Sequence, residues 1–93
     1  MIPQKVVYKY VIDGLGKIEL AIPKDAKPVH FGVDGNGNFC LWAEVADRSI
    51  PNHLWNVGLY GTGHPFEDDG ATHLGSVVTR EGFVFHLYRH PDQ

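Results

Sequence analysis

Sulfur chemistry is nearly absent from this chain, which has one cysteine, Cys40, and one methionine among 93 residues. A single cysteine cannot close an internal disulfide. That excludes the disulfide-stapled secreted class and points to a reducing cytoplasm. Cationic excess is absent too: eight Lys and Arg stand against eleven Asp and Glu, a net charge of −3. The basic stripe of a duplex nucleic-acid binder is therefore missing. No apolar run approaches the roughly 18 residues of a membrane helix. The opening MIPQKVVYKY carries charge and aromatics where a secretion signal needs an apolar stretch. Helical periodicity is missing as well, because no segment free of Gly and Pro repeats apolar residues at i, i+3, i+4 and i+7 for long enough.

What is present is alternation. Ile18, Leu20 and Ile22 alternate with Lys17, Glu19 and Ala21, and Val29, Phe31 and Val33 with His30 and Gly32. Phe39, Leu41, Ala43 and Val45 alternate with Cys40, Trp42 and Glu44, and Trp55, Val57 and Leu59 with Asn56, Gly58 and Tyr60. Residues 6–11, 74–79 and 83–89 complete the set. A period of two marks strands with one buried face. Between them lie turn residues: Asp13-Gly14, Asp34-Gly35-Asn36-Gly37 and Arg80-Glu81-Gly82, with chemistry suited to positive φ and tight hairpins. The pattern predicts a single all-β domain over residues 1–93. It is a small antiparallel sandwich or partly closed barrel of six or seven short strands. Residues 46–54, with Pro51, and residues 61–72 read as breaks. The second is long for so small a domain, and such loops carry function.

The chemistry on offer is sparse. Six histidines (30, 53, 64, 73, 86 and 90) lack HExxH or CxxC spacing, so neither a metal nor a cofactor is expected. A loop set of His64, Asp68, Asp69 and His73 is the one conceivable alternative. Cys40 sits between apolar neighbours on a strand and reads as a buried, inert thiol. Gly61-Thr62-Gly63-His64-Pro65 is the most distinctive string. Its two glycines either free backbone amides to form an anion nest or form a bulge that ends the preceding strand. The outward set of the strands is unusually aromatic: Trp42, Tyr60, Val84, His86 and Tyr88. Such a face is either covered within a two-layer fold or an interface, where Tyr and Trp are enriched.

The strings Val7-Tyr8-Lys9-Tyr10, Cys40-Leu41-Trp42-Ala43, Gly61-Thr62-Gly63-His64-Pro65 and Phe83-Val84-Phe85-His86-Leu87-Tyr88 occur in this order. Together they resemble a family of short proteins of tailed bacteriophages, prophages and bacteria built on a domain of unknown function. The resemblance implies a phage or bacterial origin and brings no catalytic residues.

Three functions follow as expectations. The first is a binding protein that self-associates through Trp42, Tyr60, Val84, His86 and Tyr88. It would hold a small ligand or host protein, not duplex nucleic acid or membrane, at Gly61, Thr62, Gly63, His64 and His73. The second is a small hydrolase using His64 with Asp68 or Asp69. The third is a virion accessory protein.

Overall fold

Two hairpins in the chain close with the same device. In both, the residue entering the turn donates its N–H to the residue leaving it, and its carbonyl accepts from a glycine in the left-handed position. Asp34 N–H donates to Asn38 O at 2.9 Å and Gly37 N–H to Asp34 O at 3.1 Å, with Gly37 at φ 83°. Thr79 N–H donates to Phe83 O at 2.7 Å and Gly82 N–H to Thr79 O at 3.0 Å, with Gly82 at φ 92°. A side chain bearing Cβ is strained at such angles. Asp34 adds a second layer: its Oδ1 accepts from the Asn36 and Asn38 amides at 2.9 Å, and its Oδ2 from Lys9 Nζ at 3.0 Å. The Asn38 amide first, and then Lys9, hold its carboxyl far below the usual carboxylate range.

The computed structural model describes residues 2–47 and 53–92. Among these are seven strands and no helix: β1 (Lys5–Val11), β2 (Gly16–Ala21), β3 (Lys27–Val33), β4 (Phe39–Ala46), β5 (Leu54–Gly61), β6 (Thr72–Val78) and β7 (Val84–His90). They form two sheets, β1-β4-β3 and β2-β5-β7-β6, and every pairing is antiparallel. The fold is the small sandwich and not the barrel. In the expected break over residues 46–54, Ala46 ends β4 and Leu54 begins β5; residues 48–52, Pro51 included, lie outside the described residues.

The alternation in sequence becomes the core. Leu41, Ala43 and Val45 of β4, with Phe31 of β3, face Trp55, Val57 and Leu59 of β5 and Leu87 of β7, and all are buried. Cross-strand partners share a face. Val57 therefore brings Ile18 into the half-buried margin, and Leu41 brings Tyr10. The sheets approach most closely where Phe31 packs under Gly75; a Cβ there would sit 3.1 Å from that of Phe31. Cys40 is buried on the other face of β4, its Sγ 3.5 Å from Asn38 O and 3.6 Å from Asp34 Oδ2. Burial, and then the Asp34 charge, push its thiol pKa up, away from the thiolate that reacts.

Candidate functional site

Parity along three strands builds a polar and aromatic surface on the outside of the four-stranded sheet. With Val57, Leu59 and Leu87 turned inward, Tyr60 of β5 and His86, Tyr88 and His90 of β7 turn outward. The register sets His86 opposite both Tyr60 and Ser76, and Tyr88 opposite His73. Three histidines, two tyrosines and a serine thus line neighbouring strands where a plain solvated face would carry Lys, Glu and Thr.

The loop between β5 and β6 lies across this face, fastened by Phe66, by Asp69 and, at the surface, by a Glu67–Lys17 ion pair. Phe66 stacks on Tyr60, with ring centroids 4.5 Å apart and planes 8° from parallel, and meets Tyr88 at 4.7 Å. Three residues on, Asp69 receives the Nδ1–H of His90, 2.9 Å from each of its oxygens. That bond leaves the opposite nitrogen, Nε2, to accept the Tyr60 hydroxyl at 2.7 Å. His90 is 3% exposed, so this bonding satisfies a polar group that would otherwise be costly to bury. The His90 contact holds the Asp69 carboxyl below its ordinary pKa, and burial raises that of Tyr60. Tyr60 reaches His90 because its ring lies flat over Gly58, where any Cβ would collide with it.

A second chain of hydrogen bonds runs in the open beside the first. Thr62 Oγ1 is 2.8 Å from His86 Nε2, His86 Nδ1 is 2.7 Å from Ser76 Oγ, and Ser76 Oγ is 2.9 Å from His73 Nε2. Each hydroxyl gives one proton and takes another, so the chain can run in either direction as the imidazoles change tautomer. It borders a shallow groove of about 180 Å³ lined by Thr62, Gly63, His64, Phe66, His86 and Tyr88. Chemically, the groove pairs a flat aromatic wall with nitrogens that serve as donor or acceptor and carry charge when protonated. A larger cleft of about 720 Å³ lies alongside, near Lys17, His53 and Asp92. Most of its charged groups are already paired: His53 with Asp92 at 2.9 Å, Lys17 with Glu67 at 3.2 Å and His90 with Asp69.

The expected ligand residues Gly61, Thr62, Gly63 and His64 border this one groove, with His73 one bond beyond it through Ser76. Tyr60, Val84, His86 and Tyr88, expected as an interface, share the same face. Trp42 does not join them: it stands on the outer face of the three-stranded sheet, with its ring 5.3 Å from that of His30. Alternation fixes which way a side chain points within its sheet but not which sheet holds the strand. The anion nest does not form either. Thr62 N–H donates to Val84 O and His64 N–H to Gly61 O, so GTGH is the turn that ends β5. Asp69 serves His90 and not His64, which removes one of the two carboxylates expected to act with His64. No group of three or more His, Cys, Asp or Glu able to hold a metal occurs among the described residues. Sequence reasoning did not single out Phe66, Ser76 or His90 as site residues. His90 follows His86 at an even spacing on one strand, the signal that both share a face.

The chain belongs to the family described as Domain of unknown function (DUF7352), matched over residues 3–93. No curated protein and no solved structure matches it.

Proposed function

We propose that this protein binds a partner on the outer face of the four-stranded sheet, at the groove between Thr62, His64, Phe66, His86 and Tyr88. The observation that carries this reading is the exposed Thr62–His86–Ser76–His73 hydrogen-bonded chain set against the Phe66–Tyr88 ring pair. A structural network would be buried; this one meets solvent beside an aromatic wall. The fitting ligand has a flat apolar part to lie on the rings and a hydrogen-bonding or anionic group to meet the imidazoles. A small molecule or an exposed side chain of a protein meets that description. The acidic loop tip of Glu67, Asp68 and Asp69 argues against duplex nucleic acid. The resemblance to bacteriophage and prophage proteins supports a host factor or host-made ligand in the cytoplasm as the finer reading. Hydrolysis fits less well. Ser76 with His86 as base would need amide donors for an oxyanion, and the neighbouring Thr62 and His64 amides are already spent.

Ligand-observed saturation-transfer NMR against a panel of aromatic carboxylates and phosphates tests the proposal. The expected result is transfer to at least one member, lost in His86→Ala and Tyr88→Ala and kept in Trp42→Ala. No transfer to any member, or transfer unchanged in the first two variants, would refute it.

A further inference from the structure

The three-stranded sheet ends on one side in β1, whose far edge pairs with nothing among the described residues. Which residues face that edge follows from the ladder. Asp47 N–H donates to Gln4 O, and Ile12 N–H donates to Phe39 O, just beyond the two ends of the β1–β4 register. Hydrogen-bonded pairs recur at every second residue of an antiparallel ladder. The backbones of Gln4, Val6, Tyr8, Tyr10 and Ile12 therefore bond toward β4. Those of Lys5, Val7, Lys9 and Val11 present their N–H and C=O groups to the open edge.

Open edges invite pairing, and folded proteins blunt them with prolines, bulges and charge. The other three outer strands show such devices. β3 carries Pro28 and a register shift between Pro28 and His30. β6 carries a shift between His73 and Gly75. β2 is shorter, with Lys17 and Glu19 on its outer face. β1 is regular over seven residues, and it exposes Val7 by 52%, Tyr8 by 46% and Val11 by 45%. Its two lysines guard it weakly, because each is partly offset by a neighbouring acid: Lys5 by Glu44 at 3.1 Å and Lys9 by Asp34 at 3.0 Å. Their remaining charge counts only where a second lysine is set directly opposite.

We propose that β1 pairs antiparallel with β1 of a second copy, joining two three-stranded sheets into one of six strands. The charge pattern selects the register. With Val7 on the two-fold axis, Lys5 would face the partner's Lys9. With Lys9 on the axis, Lys9 would face itself; like charges directly opposite are destabilising. With Tyr8 on the axis, Val7 faces Lys9 and Lys5 faces Val11, so no lysine opposes another. All four edge-facing residues then bond, giving about eight interchain hydrogen bonds. Tyr8 meets its counterpart in a close pair on the inner side, where Val6 also meets the partner's Tyr10. The second copy is the occupant that fits, because a single strand satisfies both halves of this pattern at once.

Sedimentation equilibrium on the full chain tests the proposal with two variants. Val7→Pro removes an N–H that β4 does not use, so the fold stays while the edge is blocked. Tyr8→Lys leaves the backbone intact and sets two cations on the axis. The expected result is wild type at twice the 10.4 kDa chain mass and both variants at the chain mass, with unchanged far-UV circular dichroism. If Val7→Pro does not fold, Tyr8→Lys decides alone. A wild type that stays at the chain mass at millimolar concentration overturns the proposal. So does a dimer that survives a folded variant, including one held by a different surface.

Discussion

Tyr60 shows how one glycine can set a site. Its hydroxyl satisfies His90 only because the ring runs along the strand over Gly58. Adding a methyl group at position 58 forces the ring off that path and leaves the buried His90 Nε2 without its donor. Overpacking and a lost buried hydrogen bond together cost about 2 kcal/mol or more. For a domain of this size that is a fall in Tm on the order of 10 °C. Gly58→Ala is expected to show this in thermal unfolding. Gly35→Ala, where a Cβ meets open space at an ordinary φ, is expected to change little. Equal Tm values for the two variants would contradict the assigned role of Gly58.

The β5–β6 loop is an element whose order comes from its anchors and not from its own backbone pairing. Phe66 is held by ring stacking, and Asp69 by a charge-assisted bond whose sign can be worked out. The folded-state pKa of Asp69 lies below its ordinary value. Its stabilising contribution is therefore complete above the ordinary carboxylate pKa and is lost as pH falls through the depressed one. The loop is expected to stay fastened at neutral pH and to loosen in acid. Hydrogen exchange should show loop amides losing protection, relative to their intrinsic exchange at the same pH, below about pH 4. In Asp69→Ala the loop is loose at every pH, and chymotrypsin should cut after Phe66 faster than in wild type. Equal cleavage rates would show that the Phe66 stack and the Glu67–Lys17 pair hold the loop without Asp69. The fold was legible at this scale: Leu41, Ala43 and Val45, and Trp55, Val57 and Leu59, announced their strands by period two, and Asp34–Gly37 and Arg80–Gly82 announced their turns. The site was legible only in part. Thr62, His64 and His86 stood out by type and spacing. The pairing of Ser76 with His86 crosses the β6–β7 hairpin and was within reach once its turn was read. That of Asp69 with His90 under Tyr60 depends on β5 lying beside β7, an order that does not follow the chain and that local pattern cannot report. The same gap put Trp42 with Tyr88, although they stand on different sheets.

At the scale of the molecule, the two proposed surfaces belong to different layers. The free edge of β1 bounds the three-stranded sheet. The groove sits on the outer face of the other sheet, with the shared core of Phe31, Leu41, Val57 and Leu87 between them. Coupling between such surfaces would have to pass through that packed interior, and none of the hydrogen bonds at the groove involves β1. Association through β1 should then act on stability and leave the site alone. If the folded state pairs and the unfolded state does not, mass action raises the wild-type Tm with protein concentration. The Tm of Val7→Pro should be flat over the same range. The imidazole NMR signals of His73 and His86 should fall at the same chemical shifts in wild type and in Val7→Pro at fixed pH, because the partner contributes no atom to the groove. A flat wild-type Tm would count against pairing. Differing histidine chemical shifts with a concentration-dependent Tm would instead place part of the groove under the control of the second copy, and the independence of the two layers would be lost.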